Sequence, residues 1–277
     1  GYDFNEDLYV PGFFEVDIKK GESVVFSAGI SDVSTNKLKQ IFQHEVNDRT
    51  PRDSFYHCLK NSAHQFHNKQ GDCHYILAGY PWFKCRARDL FVSLPGLTLA
   101  IDEPEEFEDV METAQKTLRC YMNNIPVDCK IYELDDPDVL LWAVWALQQY
   151  AKETTREKCR IKYGDLLLEI IDFIRKGKHN NLFLLENGLL YTHGANKPVT
   201  WMNSTIDGHP VIPRTGYVVE VNALWYNALR FVADMLREDE NPSLADTLDA
   251  LAQKTAVSFV ETFRNEYGYL LDFVDGN

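Results

Sequence analysis

"DPDVLLWAVWALQQYAKE", residues Asp136 to Glu153, decides the fold class. It opens with an Asp-Pro pair of the kind that starts a helix. The run from Val139 to Leu147 is then apolar on most sides. A helix on a protein surface carries one apolar stripe, whereas one apolar nearly all round sits inside a packed domain. Working outward, "EEFEDVMETAQKTLRCYMNN" (Glu105 to Asn124) places Phe107, Val110, Met111, Ala114, Leu118 and Tyr121 three and four residues apart, an amphipathic helix. "YGDLLLEIIDFIRKGK", "EVNALWYNALRFVADMLRED" and "SLADTLDALAQKTAVSFVETFRNEYGY" read as further helices, the last with Ser243 as its N-cap.

Towards the amino end, "NKLKQIFQHEVNDRTPRDSFYHCLKNSAHQF" is polar and helix-compatible, interrupted at Thr50-Pro51. Before it, "FFEVDI" and "SVVFSAGI" are two short β-prone runs joined by a Lys-Gly-Glu turn. Two strands bury too little apolar surface to stand alone. The expected organisation is a β segment over residues 1–34, a linker or helix over 35–55, and a mainly α domain over 56–277.

The chain has 277 residues, of which 45% are apolar and 25% charged, as in an ordinary globular protein. A formal net charge of −14 argues against nucleic acid or an anionic membrane as partner, because both need clustered Lys and Arg. The longest apolar runs, such as "LLLEIIDFI" from Leu166, are too short and too charged to span a bilayer. "GYDFNEDLYV" at the amino end has no basic region and no apolar signal core. Cys58, Cys73, Cys85, Cys120, Cys129 and Cys159 form no C-x-x-C pair, and the expectation is reduced thiols in a cytoplasmic protein. His57, His64 and His67 are read as a polar helix face rather than a metal site. Aromatics reach 13%, many of them in loop-like stretches. That suits a carbohydrate site, where aromatic faces stack on sugar rings, and it suits a rich core equally.

Three stretches could carry chemistry. In "AGYPWFKCRARDLFVSLPGLTLA" (Ala78 to Ala100), an aromatic loop runs into Arg88-Asp89, a pair that could bind hydroxyls bidentately or form a surface ion pair. Asp135, Asp136 and Asp138 precede the central helix, where capping accounts for at least two of them. The long connection from Lys178 to Val219 leads into "TWMNSTIDGHPVIPRTGYVVEVNALWYNALRF" (Thr200 to Phe231), which crowds stacking and hydrogen-bonding groups just before a helix. Structured loops of this length are usually functional.

Taken together, the Ala78–Ala100 stretch, "DVLLWAVWALQQYAK", the Thr200–Phe231 stretch with the residues before it, and "YGYLLDFVDGN" resemble the glycogen debranching enzyme family. The likeness is to its carboxyl-terminal amylo-α-1,6-glucosidase domain, over roughly residues 56 to 277. "LYVPGFFEVDIKKGESVVFSA" resembles the last strands of the β-sandwich that precedes that domain. The resemblance implies an (α/α)6 barrel of the six-hairpin glycosidase type. It implies hydrolysis of α-1,6-linked glucose at branch points of glycogen, limit dextrin or related maltooligosaccharides, with no metal or cofactor. By position, Trp82, Arg88 and Asp89 would line the glucose pocket and Asp138 would bind hydroxyls. Trp201, Arg214, Glu220 and Asn222 would complete its floor and rim.

The sequence departs from that family in three ways. The expected general acid after Thr200-Trp201-Met202 is an Asp, and here it is Asn203. An amide orients a sugar but cannot donate a catalytic proton. Asp207 and Glu220 are the carboxylates nearby in sequence that could take over. Ala87 stands where the family usually has Gly, and would be strained if that position needs a positive φ. Finally, the helices number about half of the twelve a closed barrel requires, and the region of the general base is missing. A half barrel would expose an apolar seam and invite self-association. Three readings follow: a debranching-type hydrolase with weakened acid catalysis, a non-catalytic glucan binder, and a structural or interaction protein.

Overall fold

The structure is a computed structural model that describes residues 7–80, 82–126, 130–194, 197–238 and 242–275. The chain divides into two units, residues 1–58 and residues 59–277.

In the first unit the Lys-Gly-Glu turn forms, with Glu22 N–H donating to Lys19 O at 3.0 Å and Gly21 at φ 89°. The Phe14 and Phe26 rings face each other across it at 5.9 Å. The two flanking runs nevertheless make no strand among the described residues, against the expectation of a β segment. The reason is the one that limits any lone hairpin. Phe13, Phe14 and Phe26 are all exposed, so among the described residues these runs bury little apolar surface. A 3-10 turn, Thr35–Lys37, then leads into α1 (Leu38–Asp48). That helix stops where Arg49 turns extended, just ahead of Thr50-Pro51, as the proline requires. Helix α2 (Phe55–His64) follows.

The second unit starts within α2, at Leu59, and continues with an antiparallel hairpin, β1 (His67–Gln70) and β2 (Cys73–Ile76). Strand β3 (Cys85–Arg86) pairs in parallel with β4 (Ile131–Tyr132). Helices α3 (Ala87–Leu97), α4 (Pro104–Met122), α5 (Val139–Glu153) and α6 (Arg156–Arg175) come next. After β5 (Leu182–Leu184), β6 (Leu190–Thr192), β7 (Thr205–Ile206), β8 (His209–Pro210) and β9 (Gly216–Val218), the chain enters α7 (Val219–Glu238) and α8 (Pro242–Phe263). Strand β10 (Phe273–Val274) follows α8.

Alternate helices pack in series. Helix α5 lies against α3 on one side and α7 on the other, α4 and α6 contact each other and α5, and α8 packs along α7. This explains the all-round apolarity of α5, whose Leu140, Val144 and Leu147 are completely buried. The row does not close into a barrel: eight α-helices lie among the described residues, where an (α/α)6 barrel has twelve. Helix α8 starts two residues earlier than expected, at Pro242, so Ser243 is not its N-cap. A proline suits the first helical position because its missing N–H would find no intrahelical partner there.

An antiparallel sheet in the order β10-β9-β6-β5 lies at the start of α7. Gly216 makes its closest approach possible. A Cβ at Gly216 would stand 2.3 Å from the carbonyl oxygen of Val274, and the residue has φ 129°. The sheet thereby holds Asp272 beside the first turn of α7, where Val219 N–H donates to Asp272 O at 3.2 Å.

Candidate active site

Helices α3, α5 and α7 each carry candidate side chains in or just before their first turn. Arg88 and Asp89 belong to α3, Asp138 and Trp142 to α5, and Glu220 to α7. Ala87 opens α3 in a helical conformation without a positive φ, so its methyl group carries no strain.

Arg88 is buried and joins α3 to α5. Its Nε donates to Asp138 Oδ2 at 2.8 Å, and its Nη2 to Asp138 Oδ1 at 2.9 Å and to Asp136 Oδ2 at 2.7 Å. Trp142 Nε1 also donates to Asp138 Oδ2, at 3.0 Å. Asp138 therefore occupies the N-cap position without capping the helix. Its carboxylate is spent on Arg88 and Trp142 instead. Asp136 is the outer member of the group. Burial pushes its pKa up to about 6; Arg88 opposes that shift, while the carboxylates of Asp138, Glu133 and Asp135 reinforce it.

A second buried guanidinium holds the start of α7. Arg214 pairs bidentately with Glu220, at 2.5 and 2.7 Å, and reaches Thr200 Oγ1 at 3.0 Å and Asp272 Oδ1 at 2.8 Å. It sits at φ 45°, an unusual backbone region for a side chain of this size and one that recurs where surrounding structure enforces a functional geometry.

Beside Arg88 lies an open cavity of about 450 Å³, and neither Arg214 nor Glu220 is among the residues that line it. Its wall includes Arg88, Asp89, Trp142 and Trp201, with Phe66 and Leu77 as apolar floor. The size falls in the ~300–1,000 Å³ range of small-molecule sites. Asp89 is exposed at the rim, and none of the hydrogen bonds among the described side chains engages its carboxylate. An indole face, a guanidinium and an uncommitted carboxylate around one cavity can stack on a sugar ring and bind its hydroxyls.

The other expected residues fall elsewhere. Trp82 is 81% exposed and is not among the residues lining this cavity. Asn222 is fully buried, accepting from Leu190 N–H at 2.7 Å and donating to Leu190 O and Val218 O at 3.0 Å each. It joins α7 to β6 and β9 and has no hydrogen-bonding capacity directed at the cavity. Asp207 is exposed in the turn between β7 and β8, where Asp207 (φ 50°) and Gly208 (φ 78°) are the two central residues. Asn203 is exposed two residues beyond Trp201, with its backbone N–H bonded to Trp201 O at 2.9 Å. Trp142, Thr200 and Asp272 were not anticipated as parts of the site. A signal for Trp142 existed, because residues four apart on a helix share a face and Asp138 precedes it by four.

Among the described residues no disulfide joins Cys58, Cys73, Cys85, Cys120 and Cys159, and burial pushes Cys85 and Cys159 up to about 12; Cys129 lies outside the described residues. No helix among the described residues is long and apolar enough to cross a membrane.

Against known proteins, the model of one family, amylo-alpha-1,6-glucosidase, matches residues 55–277. No curated protein matches the chain.

Proposed function

The chain belongs to the amylo-alpha-1,6-glucosidase family, and from that premise we propose that its cavity holds a terminal glucose of an α-glucan branch, as part of a debranching-type glycoside hydrolase. The observation that carries this reading is the convergence of Arg88, Asp89, Trp142 and Trp201 on one cavity of about 450 Å³. Trp201 stacks on the ring, Asp89 accepts from its hydroxyls, and Arg88 is held rigid by Asp136 and Asp138 so that its position costs no ordering when the sugar arrives.

Hydrolysis of the inverting kind needs a carboxylic acid on the leaving oxygen and a carboxylate that activates water. Asn203 supplies neither, and Glu220 is tied to Arg214. The amide makes retention of glucan with slow turnover the expected behaviour, and it favours a second reading, a glucan-binding relative that does not cleave.

Tryptophan fluorescence titrated with maltooligosaccharides and with 6-O-α-glucosyl maltooligosaccharides tests the site. Saturable binding that weakens ~10- to 100-fold in Trp201→Ala is expected, since one stacked aromatic contributes about 1–3 kcal/mol. Absence of binding to either sugar series would overturn the proposal in favour of an interaction protein. Glucose release before and after Asn203→Asp then separates the two readings. A gain of ~10²- to 10⁴-fold, the usual value of a positioned general acid, supports the hydrolase. Saturable binding with no glucose release from the unsubstituted chain supports the binder, and no gain in Asn203→Asp weighs against an acid simply lost at that position.

A further inference from the structure

Three imidazoles face three carboxylates along the first turns of α4. His64 meets Glu103 at 2.7 Å, His67 meets Glu106 at 3.5 Å, and His74 meets Asp109 at 3.6 Å. Only the first pair is closed at hydrogen-bond distance. Glu106 and Asp109 are three residues apart on one helix face, and with His74 they bring one ligand atom each to within 4.8 Å of one another.

We propose that His74, Glu106 and Asp109 form a structural site for a divalent transition-metal ion, zinc foremost, with water completing the coordination. The spacing is compatible with a shared ion as well as with the long ion pair between His74 and Asp109. Two donors at ~2.0–2.2 Å from one tetrahedral ion stand roughly 3.4 Å apart, close to the 3.6 Å between His74 Nδ1 and Asp109 Oδ2. Imidazole nitrogen and carboxylate oxygen are both zinc ligands, and three protein ligands leave a fourth position for water. The site is also held from outside. The backbone N–H of His74 donates to Thr113 Oγ1 at 2.9 Å, which fixes β2 to α4, and Lys116 engages the next carboxylate along the helix, Glu112, at 2.7 Å. His67 stands beside Glu106 with its Nε2 on the carbonyl of Leu97 at 3.1 Å, an outer-shell arrangement that orients the ring toward the carboxylate.

Such an ion would tie β2 to α4. Strand β2 runs straight into Leu77 and Ala78, which line the cavity, so the ion would steady one wall of it. The role is independent of the glucan reading, because the ligands lie outside the cavity lining and the test needs no sugar.

The experiment is calorimetric titration of the chelator-treated full chain with Zn²⁺, paired with the visible spectrum of the Co²⁺ form. One ion per chain with low-micromolar affinity, tetrahedral Co²⁺ bands and a Tm raised by several degrees are expected. Asp109→Asn and His74→Gln, both near-isosteric, should abolish binding. Each is to be checked for an unchanged far-ultraviolet spectrum, with Glu106→Gln as the alternative should either misfold. His44→Gln, which alters an exposed pair at 3.2 Å, should bind as the parent does. Absence of stoichiometric binding in the parent overturns the proposal, as does binding that survives in folded Asp109→Asn and His74→Gln.

Discussion

Two clusters of charge that share helix α5 have opposite compositions. At the cavity, one cation, Arg88, serves Asp136 and Asp138, with Asp135 and Glu133 close behind. In the other cluster one carboxylate, Glu108, receives Lys158 at 2.7 Å together with Lys162 and the Tyr150 hydroxyl. Burial acts on both carboxylates in the same direction. At Glu108 the lysine and tyrosine hydrogen bonds outweigh it and bring the pKa down to about 2. At Asp136 burial wins and takes the pKa up to about 6. The Glu108 cluster pins α4 to α5 and α6 and leaves no carboxylate short of a cation. The cavity cluster holds more negative charge than its cation neutralises, at a cost to stability. Groups held against their own preference concentrate at sites of chemistry.

The comparison breaks most readily at Arg88. Arg88→Ala should leave Asp138 buried without its cation and cost about 3–5 kcal/mol in a urea unfolding experiment, with loss of glucan binding. Survival of full stability would mean that the cavity cluster holds nothing together. The next effect is on pH dependence. Asp136 binds its proton more tightly folded than unfolded, so its cost is absent below about pH 4 and fully present above about pH 6. Stability should therefore fall over that interval, by on the order of 2–3 kcal/mol. Glu108 contributes in the opposite sense, with stability present above about 4.5 and lost as the pH falls towards 2. Asp136→Asn should remove the decline between pH 4 and 6 and leave the loss at lower pH. A decline that persists in the variant would assign it to another group. The smallest effect sharpens the contrast: Glu108→Gln should cost about 1–2 kcal/mol and leave glucan affinity unchanged. Weakened affinity would show that the two clusters are coupled.

Much of this was legible in the sequence where the cause is local. The buried helix at Asp136–Glu153 and the stop at Thr50-Pro51 follow from periodicity and from the geometry of proline. Arg88, Asp89 and Trp201 do share one cavity. What local reading missed depends on partners far along the chain. The aspartates before α5 looked like caps because helix starts favour them. The guanidinium that claims Asp136 and Asp138 is contributed by α3, roughly fifty residues earlier. Asn222 looked like a ligand for the converse reason: the strand that uses up its amide belongs to a sheet whose register only the fold reveals. Closure of a barrel is less legible still, since each helix carries an apolar stripe whether or not the row of helices meets itself.

The pairing of β10 with β9 sets an order of events as the chain leaves the ribosome. Arg214 and Asp272 are separated by the whole of α7 and α8, and Gly216 cannot receive Val274 until both helices have been made and folded back. The Arg88–Asp138 clamp needs only α3 and α5, and it can be in place long before. The two buried guanidiniums are thus locked at different moments of synthesis. The anchor at Thr200, next to Trp201, is therefore completed later than the Arg88 clamp.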